Sequence, residues 1–217
     1  MNILYEDKYM LVCEKPADVL SEPSENGGKD IITLLKNEKG GEYFLVHRLD
    51  RNTGGAMLIA KTGEAAAKLS ALIQRRDFKK EYLAVVKGEP ETPEGVFEDL
   101  LFKDSQKNKS FVVKKLRKGV KEAKLEYKTL GTKNLESGEK VSLVRVLLHT
   151  GRTHQIRVQF ASRKMPLLGD GKYGSRDNHC ETALWCERLS FVNPFTKKTV
   201  EAVSLPPKEY PWNEFDF

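Results

Sequence analysis

The sequence predicts a mixed α/β or α+β sheet protein that forms one continuous domain over its 217 residues. Short apolar runs separated by turn residues are numerous, whereas only three segments have a helical pattern. No internal repeat, low-complexity tract or linker interrupts the chain. A hydrophobic content of 39% and a charged content of 31% are typical of a soluble globular protein.

In the N-terminal part, the patterns predict short strands followed by two helices. Residues 4–14 predict one or two strands, and residues 21–29, which are rich in Ser, Pro, Asn and Gly, predict a surface loop. A helix is expected over Asp30–Lys36, with Asp30 near its N-cap. The strongest helix signal is Glu64–Ile73, where Thr62 is the expected N-cap.

The C-terminal part is predicted to be mainly strand. The expected strands are Glu81–Gly88, Ser110–Lys114, Ala123–Leu130, Val141–His149 and Trp185–Val192. Residues 141–149 are apolar at almost every position, which indicates a strand buried on both faces. A helix is predicted over Thr153–Ala161, and a turn over Asn193–Thr196.

Composition excludes several classes of protein. No apolar stretch approaches the roughly 20 residues that a membrane-spanning helix needs, and the acidic N-terminus does not resemble a signal peptide. The three cysteines, Cys13, Cys180 and Cys186, form no obvious disulfide framework or zinc-binding pattern. We therefore expect a cytoplasmic protein with reduced thiols and no metal.

Positive charge is concentrated in one segment, residues 103–133. This segment has eleven basic and three acidic residues, a net charge of +8, so the rest of the chain contributes −2 to the total of +6. Concentrated positive charge is typical of a nucleic-acid-binding surface. A lysine-rich hairpin that is merely solvated explains the same composition equally well.

A first candidate site lies at His47-Arg48-Leu49-Asp50, before the Thr53-Gly54-Gly55 corner. The flanking apolar runs predict a strand, a loop and a strand, and loops on rigid sheets often carry reactive side chains. An arginine nearby keeps an aspartate ionised, which makes Asp50 a candidate nucleophile or base. In the alternative, Asp50 is a turn residue and Arg48 is its surface ion-pair partner.

A second candidate site is the segment from Gly151 to Arg157 (GRTHQIR), which follows a strand and opens a predicted helix. On that helix, His154 and Arg157 are three residues apart and can share a face. A buried Arg157 would need a carboxylate partner. The alternative is a solvated cationic helix end.

Together these segments resemble the RluA-type pseudouridine synthases. The motifs HRLDRNTGG, LIAKT, KKEYLAVVKG, GRTHQIRVQFA, PLLGDGKYG and LSFVNPFTKK occur in the same order in that family. The resemblance begins at ILYEDKYMLVCEKP and covers nearly the whole chain. It implies an α+β fold with a mixed, largely antiparallel β-sheet, in a single catalytic domain over residues 1–217 without an S4-like RNA-binding domain.

The resemblance also implies roles for four residues. Asp50 matches the catalytic aspartate, Tyr82 the aromatic residue that stacks on the target uracil, and Arg157 the basic partner of the aspartate. Arg48 matches an arginine that fills the space left by the extruded base. From local sequence alone, Tyr82 is better explained as a packing residue of its strand.

The function implied is isomerisation of specific uridines in tRNA or rRNA by a cofactor-independent monomer. The alternative is a non-catalytic RNA-binding or RNA-folding protein on the same scaffold, and a nucleoside hydrolase is a weaker rival. The chain departs from the family in two loops. It has Thr53-Gly54-Gly55 where Thr-Ser-Gly is usual, and Lys15-Pro16-Ala17-Asp18 where Lys-Pro-x-Gly is frequent.

Overall fold

The computed structural model describes residues 1–24 and 27–216. The strands are β1 (Ile3–Glu6), β2 (Met10–Lys15), β3 (Phe44–Leu45), β4 (Gly54–Ala60), β5 (Phe78–Lys87), β6 (Glu94–Asp104), β7 (Lys109–Val113), β8 (Val120–Asn134), β9 (Lys140–Leu148), β10 (Leu184–Val192) and β11 (Thr199–Val203). The helices are α1 (Ile31–Lys39), α2 (Gly63–Gln74) and α3 (Gln155–Ser162), with 3-10 turns at Gly171–Tyr173 and Trp212–Glu214. The predicted α+β class with a mixed, largely antiparallel sheet is confirmed.

The chain forms two compact units, of which the first contains Met1–Lys80 and Trp185–Pro206. Its strands follow the order β1–β2–β4–β10, with β3 paired to β4 and β11 paired to β10. The pairing of β10 with β4 is parallel and the other pairings in this unit are antiparallel. Every residue of β4 is buried, and α2 lies against this strand, so the core of the unit is centred on β4.

The second unit contains Glu81–Leu184 and the C-terminal segment from Pro207. Its strands form an antiparallel meander in the order β5–β9–β8–β6–β7. Helix α3 covers one face, where Val158 packs against Leu101 on β6 and Ala123 on β8. Phe160 of the same helix contacts the rings of Phe97 and Tyr127, at centroid distances of 5.0 and 5.8 Å.

Two of the three helix starts agree with the predictions because each has a side-chain cap. The Asp30 carboxylate accepts a hydrogen bond from the backbone N–H of Thr33 at 2.9 Å, and Thr62 Oγ1 accepts one from Ala65 at 3.1 Å. The third helix begins at Gln155, so the prediction of a helix from Thr153 is wrong at that end. His154 has a left-handed backbone, with φ of 54°, and stands before the helix rather than on it.

The predicted strands are present, with one difference in burial. Residues 141–144 of β9 are buried as expected, but Arg145 and Leu147 are only half-buried, so burial on both faces is confined to the first half of the strand. The loop predicted over residues 21–29 has no helix or strand at 21–24 and 27–29, while residues 25 and 26 lie outside the described part of the chain. Within the described residues, no helix is both long and apolar enough to span a membrane.

Candidate active site

Asp50 lies in the loop between β3 and β4 of the first unit, and backbone contacts on both sides fix this loop. Ser21 Oγ donates to the carbonyl of Leu49 at 2.7 Å and accepts from the Leu49 N–H at 3.0 Å. The N–H of Thr53 donates to the carbonyl of Asp50 at 3.0 Å, which closes a tight turn. The turn therefore presents the half-buried Asp50 on a fixed backbone.

A fully buried lysine supports the same loop from β2. Lys15 Nζ donates to the carbonyls of Pro16, Val19 and Arg51 at 2.8, 2.6 and 3.1 Å. A buried ammonium is stable only when its hydrogen bonds and charge are compensated. Burial lowers the pKa of Lys15 to about 8, and the negative charge of Asp50 opposes that shift. Lys15 thus fixes the residue that follows Asp50 and supplies a positive charge near its carboxylate.

The glycine corner after Asp50 explains why this chain departs from the usual Thr-Ser-Gly. A Cβ atom at Gly54 would lie 2.2 Å from the ring of Trp185, which opposes Gly54 on β10. Trp185 is held in place by hydrogen bonds from Nε1 to the carbonyl and Oγ of Ser204, at 3.0 and 3.1 Å. A serine at position 54 would therefore clash with the ring of the tryptophan at position 185.

The second glycine is required for a different reason. Gly55 has φ of 108°, and a Cβ there would lie 2.3 Å from the carbonyl oxygen of Cys186. Only glycine combines this backbone conformation with so close an approach of two strands. The corner therefore places the two backbones in direct contact immediately after the Asp50 turn.

His47 anchors the chain on the other side of the loop. Its Nε2 accepts a hydrogen bond from the N–H of Leu58 at 3.0 Å, while Nδ1 is inaccessible to solvent and has no hydrogen-bond partner among the described residues. Burial, with a smaller effect from the positive charge of Lys80, lowers the pKa of His47 to about 3. His47 is therefore a neutral residue that holds the chain before Asp50 to β4, and it does not act as an acid or base.

The arginines beside Asp50 form ion pairs with the 18–22 segment. Arg48 pairs with Glu22, and Arg51 Nε donates to Asp18 at 2.8 Å, with all four side chains more than half exposed. Arg48 is thus not the ion-pair partner of Asp50, and the interpretation of Asp50 and Arg48 as a simple surface pair is wrong. An exposed pair of this kind contributes little to stability, so Arg48 can exchange Glu22 for another anion at small cost.

In the second unit, Arg157 of α3 forms a buried bidentate ion pair with Asp170. Arg157 Nε and Nη2 donate to the two carboxylate oxygens at 2.7 and 2.8 Å, and the two residues are 8% and 1% exposed. The Arg157 guanidinium also lies 5.2 Å from the centre of the Tyr173 ring. These contacts fix the plane of the guanidinium. The predicted pairing of Arg157 with Asp50 stays a prediction, since the two residues belong to different units.

Tyr82 lies on β5 and faces the same side of the second unit's sheet as α3. It opposes Val146 on β9, which in turn opposes Tyr127 on β8, and directly opposed side chains share a face. Tyr127 contacts Phe160 of α3, which identifies that face. Tyr82 is 5% exposed, so its ring is packed in this conformation.

The turn before α3 is held by side chains of the second candidate segment. Gln155 Oε1 accepts from the hydroxyl of Thr150 at 2.8 Å and from the N–H of Arg152 at 3.1 Å. Arg152 Nε donates to the carbonyl of Glu122 at 2.9 Å, and His154 Nδ1 lies 3.1 Å from the hydroxyl of Tyr173. Because His154 precedes the helix, the predicted shared helix face with Arg157 is wrong.

Sequence reasoning missed Lys15, Trp185 and Asp170. Lysine is ordinarily exposed, so no residue near Lys15 indicates its burial. Asp170 stands inside the PLLGDGKYG motif, but no residue of that motif indicates that this carboxylate pairs with Arg157. Within the described chain, no group of three or more His, Cys, Asp or Glu side chains is arranged to hold a metal ion.

Comparison with known proteins identifies the family. A family model described as RNA pseudouridylate synthase matches residues 9–162. An uncharacterized RNA pseudouridine synthase of Bacillus subtilis is 31% identical over 209 residues, which cover 93% of this chain and 67% of the relative. One from Aquifex aeolicus is 39% identical over 187 residues, covering 82% and 57%. The ribosomal large subunit pseudouridine synthase D of Vibrio cholerae is 32% identical over 214 residues, covering 94% and 62%.

The fold agrees with a solved structure as well. Human RNA pseudouridylate synthase domain containing 1 superimposes with a TM-score of 0.80 at 24% identity, covering 95% of this chain and 83% of the human one. This chain spans between 57 and 67% of the length of the three relatives named above. The motif resemblance to RluA-type enzymes is confirmed, and the chain belongs to the RNA pseudouridylate synthase family.

Proposed function

We propose that this protein is a cofactor-independent RNA pseudouridine synthase in which Asp50 is the catalytic residue. The observation that carries the proposal is the support of the Asp50 turn, which Ser21 and Lys15 hold by hydrogen bonds to backbone atoms on either side of it. A turn position that served only to reverse the chain would not require a fully buried lysine beneath it. Such pre-organisation is what a reactive carboxylate needs.

One carboxylate is sufficient for the reaction. Converting uridine to pseudouridine breaks the bond between C1′ and N1, and the base turns and forms a bond between C1′ and C5. N1 gains a proton and C5 loses one. A glycosidase needs a second carboxyl group to protonate a departing group, whereas here the base stays bound and becomes part of the product. Asp50 acts either as a nucleophile at the sugar or as a charge stabiliser that takes up a proton.

The other three predicted residues have complementary roles in the proposal. Arg48, whose exposed ion pair with Glu22 is easily exchanged, enters the space left by the extruded base. Tyr82 stacks on the uracil, which requires one face of its packed ring to open when RNA binds. Arg157, oriented by Asp170, offers its charge to the Asp50 carboxylate.

We further propose that residues 1–217 act as one catalytic domain, that the protein works in the cytoplasm as a monomer, and that its substrate is ribosomal RNA, with tRNA as the alternative. The names of two relatives, ribosomal large subunit pseudouridine synthases D of Vibrio cholerae and C of Buchnera aphidicola, support the choice of ribosomal RNA. The basic segment 103–133 provides the charge that such a polyanion requires.

Mapping of pseudouridines in total RNA tests this proposal. RNA from a strain that lacks the gene is compared with RNA from the same strain complemented with wild type or with Asp50→Asn. We expect at least one site to disappear in the deletion strain, to return with wild type and to stay absent with Asp50→Asn. Equal modification in both complemented strains would refute the role of Asp50, and no lost site would favour a non-catalytic RNA-binding protein.

A further inference from the structure

The basic segment contains an aromatic surface that the reaction does not use. Phe111 on β7 opposes Phe102 on β6, so the two side chains share one face of the second unit's sheet. Their neighbours Val112 and Leu101 point to the other face, where they pack with Val158 of α3. Because strand side chains alternate, Phe102 and Phe111 face away from α3. They therefore also face away from the side that carries Tyr82.

This aromatic pair is accessible and bordered by cations. Phe111 is 37% exposed, and Leu116 in the following loop is 69% exposed. The guanidinium of Arg117 lies 5.1 Å from the centre of the Phe102 ring, and Lys109 Nζ lies 5.9 Å from that of Phe111. We call Phe102, Phe111, Leu116, Lys109 and Arg117 the aromatic platform.

The charge around the platform is not neutralised. Among the residues that the structure describes, eight exposed cations of the segment form no ion pair within 4.0 Å, namely Lys103, Lys107, Lys114, Lys115, Arg117, Lys118, Lys121 and Lys128. By contrast, Lys124 pairs with Glu98 at 2.7 Å and Lys133 with Glu214 at 2.6 Å. A solvated hairpin would explain the lysines, but it would not require two aromatic rings on an accessible sheet face.

We propose that the aromatic platform binds an unpaired stretch of the substrate RNA, with one base stacked on Phe111 and the surrounding cations on the phosphates. An exposed β-sheet face that combines aromatic rings with positive charge suits single-stranded RNA, because unstacked bases offer their faces. A duplex offers its phosphates but no free base face, so it would use only the cations. The proposal rests on the proposed function for the identity of the RNA.

Fluorescence anisotropy with the intact protein and a labelled single-stranded 12-nucleotide RNA tests the platform. We expect Phe111→Ala and Phe111→Leu each to weaken binding on the order of tenfold, since one base stack is lost. Phe111→Tyr keeps an aromatic ring and should bind like wild type. The matched control is Val96→Ala, which shortens a more exposed apolar side chain (52%) on β6, on the face that carries Phe102, and should have no effect.

Salt dependence separates stacking from charge. Phe111→Ala should leave the slope of log affinity against log salt unchanged, whereas replacing Lys114, Lys115 and Lys118 together by Ala should reduce it by about 2. A 12-base-pair duplex probe should not distinguish Phe111→Ala from wild type.

If Phe111→Ala or Phe111→Leu bound the single strand as tightly as the wild-type protein does, with unchanged thermal unfolding, the proposal would be overturned. The same measurement on Asp50→Asn keeps the two proposals distinct, because this variant should bind the probe normally whatever its activity.

Discussion

The two charged centres of this protein are held in different ways. In the first unit, the Asp50 turn is fixed by hydrogen bonds to its backbone, from Ser21 and from the buried ammonium of Lys15. In the second unit, the Arg157 side chain is fixed by another charged side chain, Asp170. The hydrogen bonds that fix the Asp50 turn engage backbone atoms, whereas the bidentate pair engages the Arg157 side chain and partly compensates its charge. The two centres therefore differ in how much the stability of the fold depends on a side-chain partner.

The largest expected effect is on the Arg157–Asp170 pair. Asp170→Asn removes the carboxylate that pairs bidentately with the buried Arg157 guanidinium, so we expect the free energy of unfolding to fall by about 3–5 kcal/mol. Urea denaturation measures the change. The matched control is Asp18→Asn, which breaks the exposed pair with Arg51 and should cost less than about 1 kcal/mol. Equal losses in the two variants would contradict the distinction between buried and exposed pairs.

A smaller effect is expected at the glycine corner of the first unit. Gly54→Ser introduces atoms into the ring of Trp185 and should destabilise the protein by about 1–3 kcal/mol. Gly63→Ser serves as the control, since a Cβ at that helix start meets no atom within 4 Å. Because Trp185→Leu removes the ring that the new side chain meets, Gly54→Ser should cost less stability in the Trp185→Leu background than in the wild-type protein. Thermal unfolding of the four variants checks this, and additive losses would show that the two residues are not coupled.

The pH dependence of stability reports on His47. Its pKa of about 3 in the folded protein is below the ordinary value of 6.5, so between these values the unfolded chain binds a proton that the folded chain does not. Its contribution is present in full above pH 6.5 and is lost as pH falls toward 3, by about 1.4 kcal/mol per pH unit. His47→Gln, which retains an acceptor for the Leu58 N–H, should show a correspondingly shallower decline in urea unfolding. If wild type and His47→Gln lost stability equally steeply with falling pH, the folded protein would not hold His47 in its neutral form.

The sequence predicted features that depend on local signals. The caps at Asp30 and Thr62, and the strand–loop–strand arrangement around Asp50, follow from residue types within a few positions. The start of α3 was mispredicted because His154 adopts a left-handed backbone beside Tyr173, a contact between residues that are 19 positions apart. Nothing within the GRTHQIR segment indicates that conformation.

The candidate site was predictable as a set of motifs but not as a set of contacts. Motif resemblance identified Asp50 and Arg157, yet their supports, Lys15 and Asp170, are buried charges whose burial depends on the complete fold. The substitution of Gly54 for the usual serine had no explanation in the sequence either. Trp185, which excludes a side chain at that position, is more than a hundred residues away.

The central claim, that Asp50 is the reactive group, is tested most directly by tritium release from RNA labelled at C5 of uridine. Forming the new bond at C5 expels that hydrogen, so each isomerisation releases one tritium to water. We predict release by wild type and by Asp18→Asn, and none by Asp50→Asn that is folded and binds RNA. Release by Asp50→Asn at the wild-type rate would contradict the account.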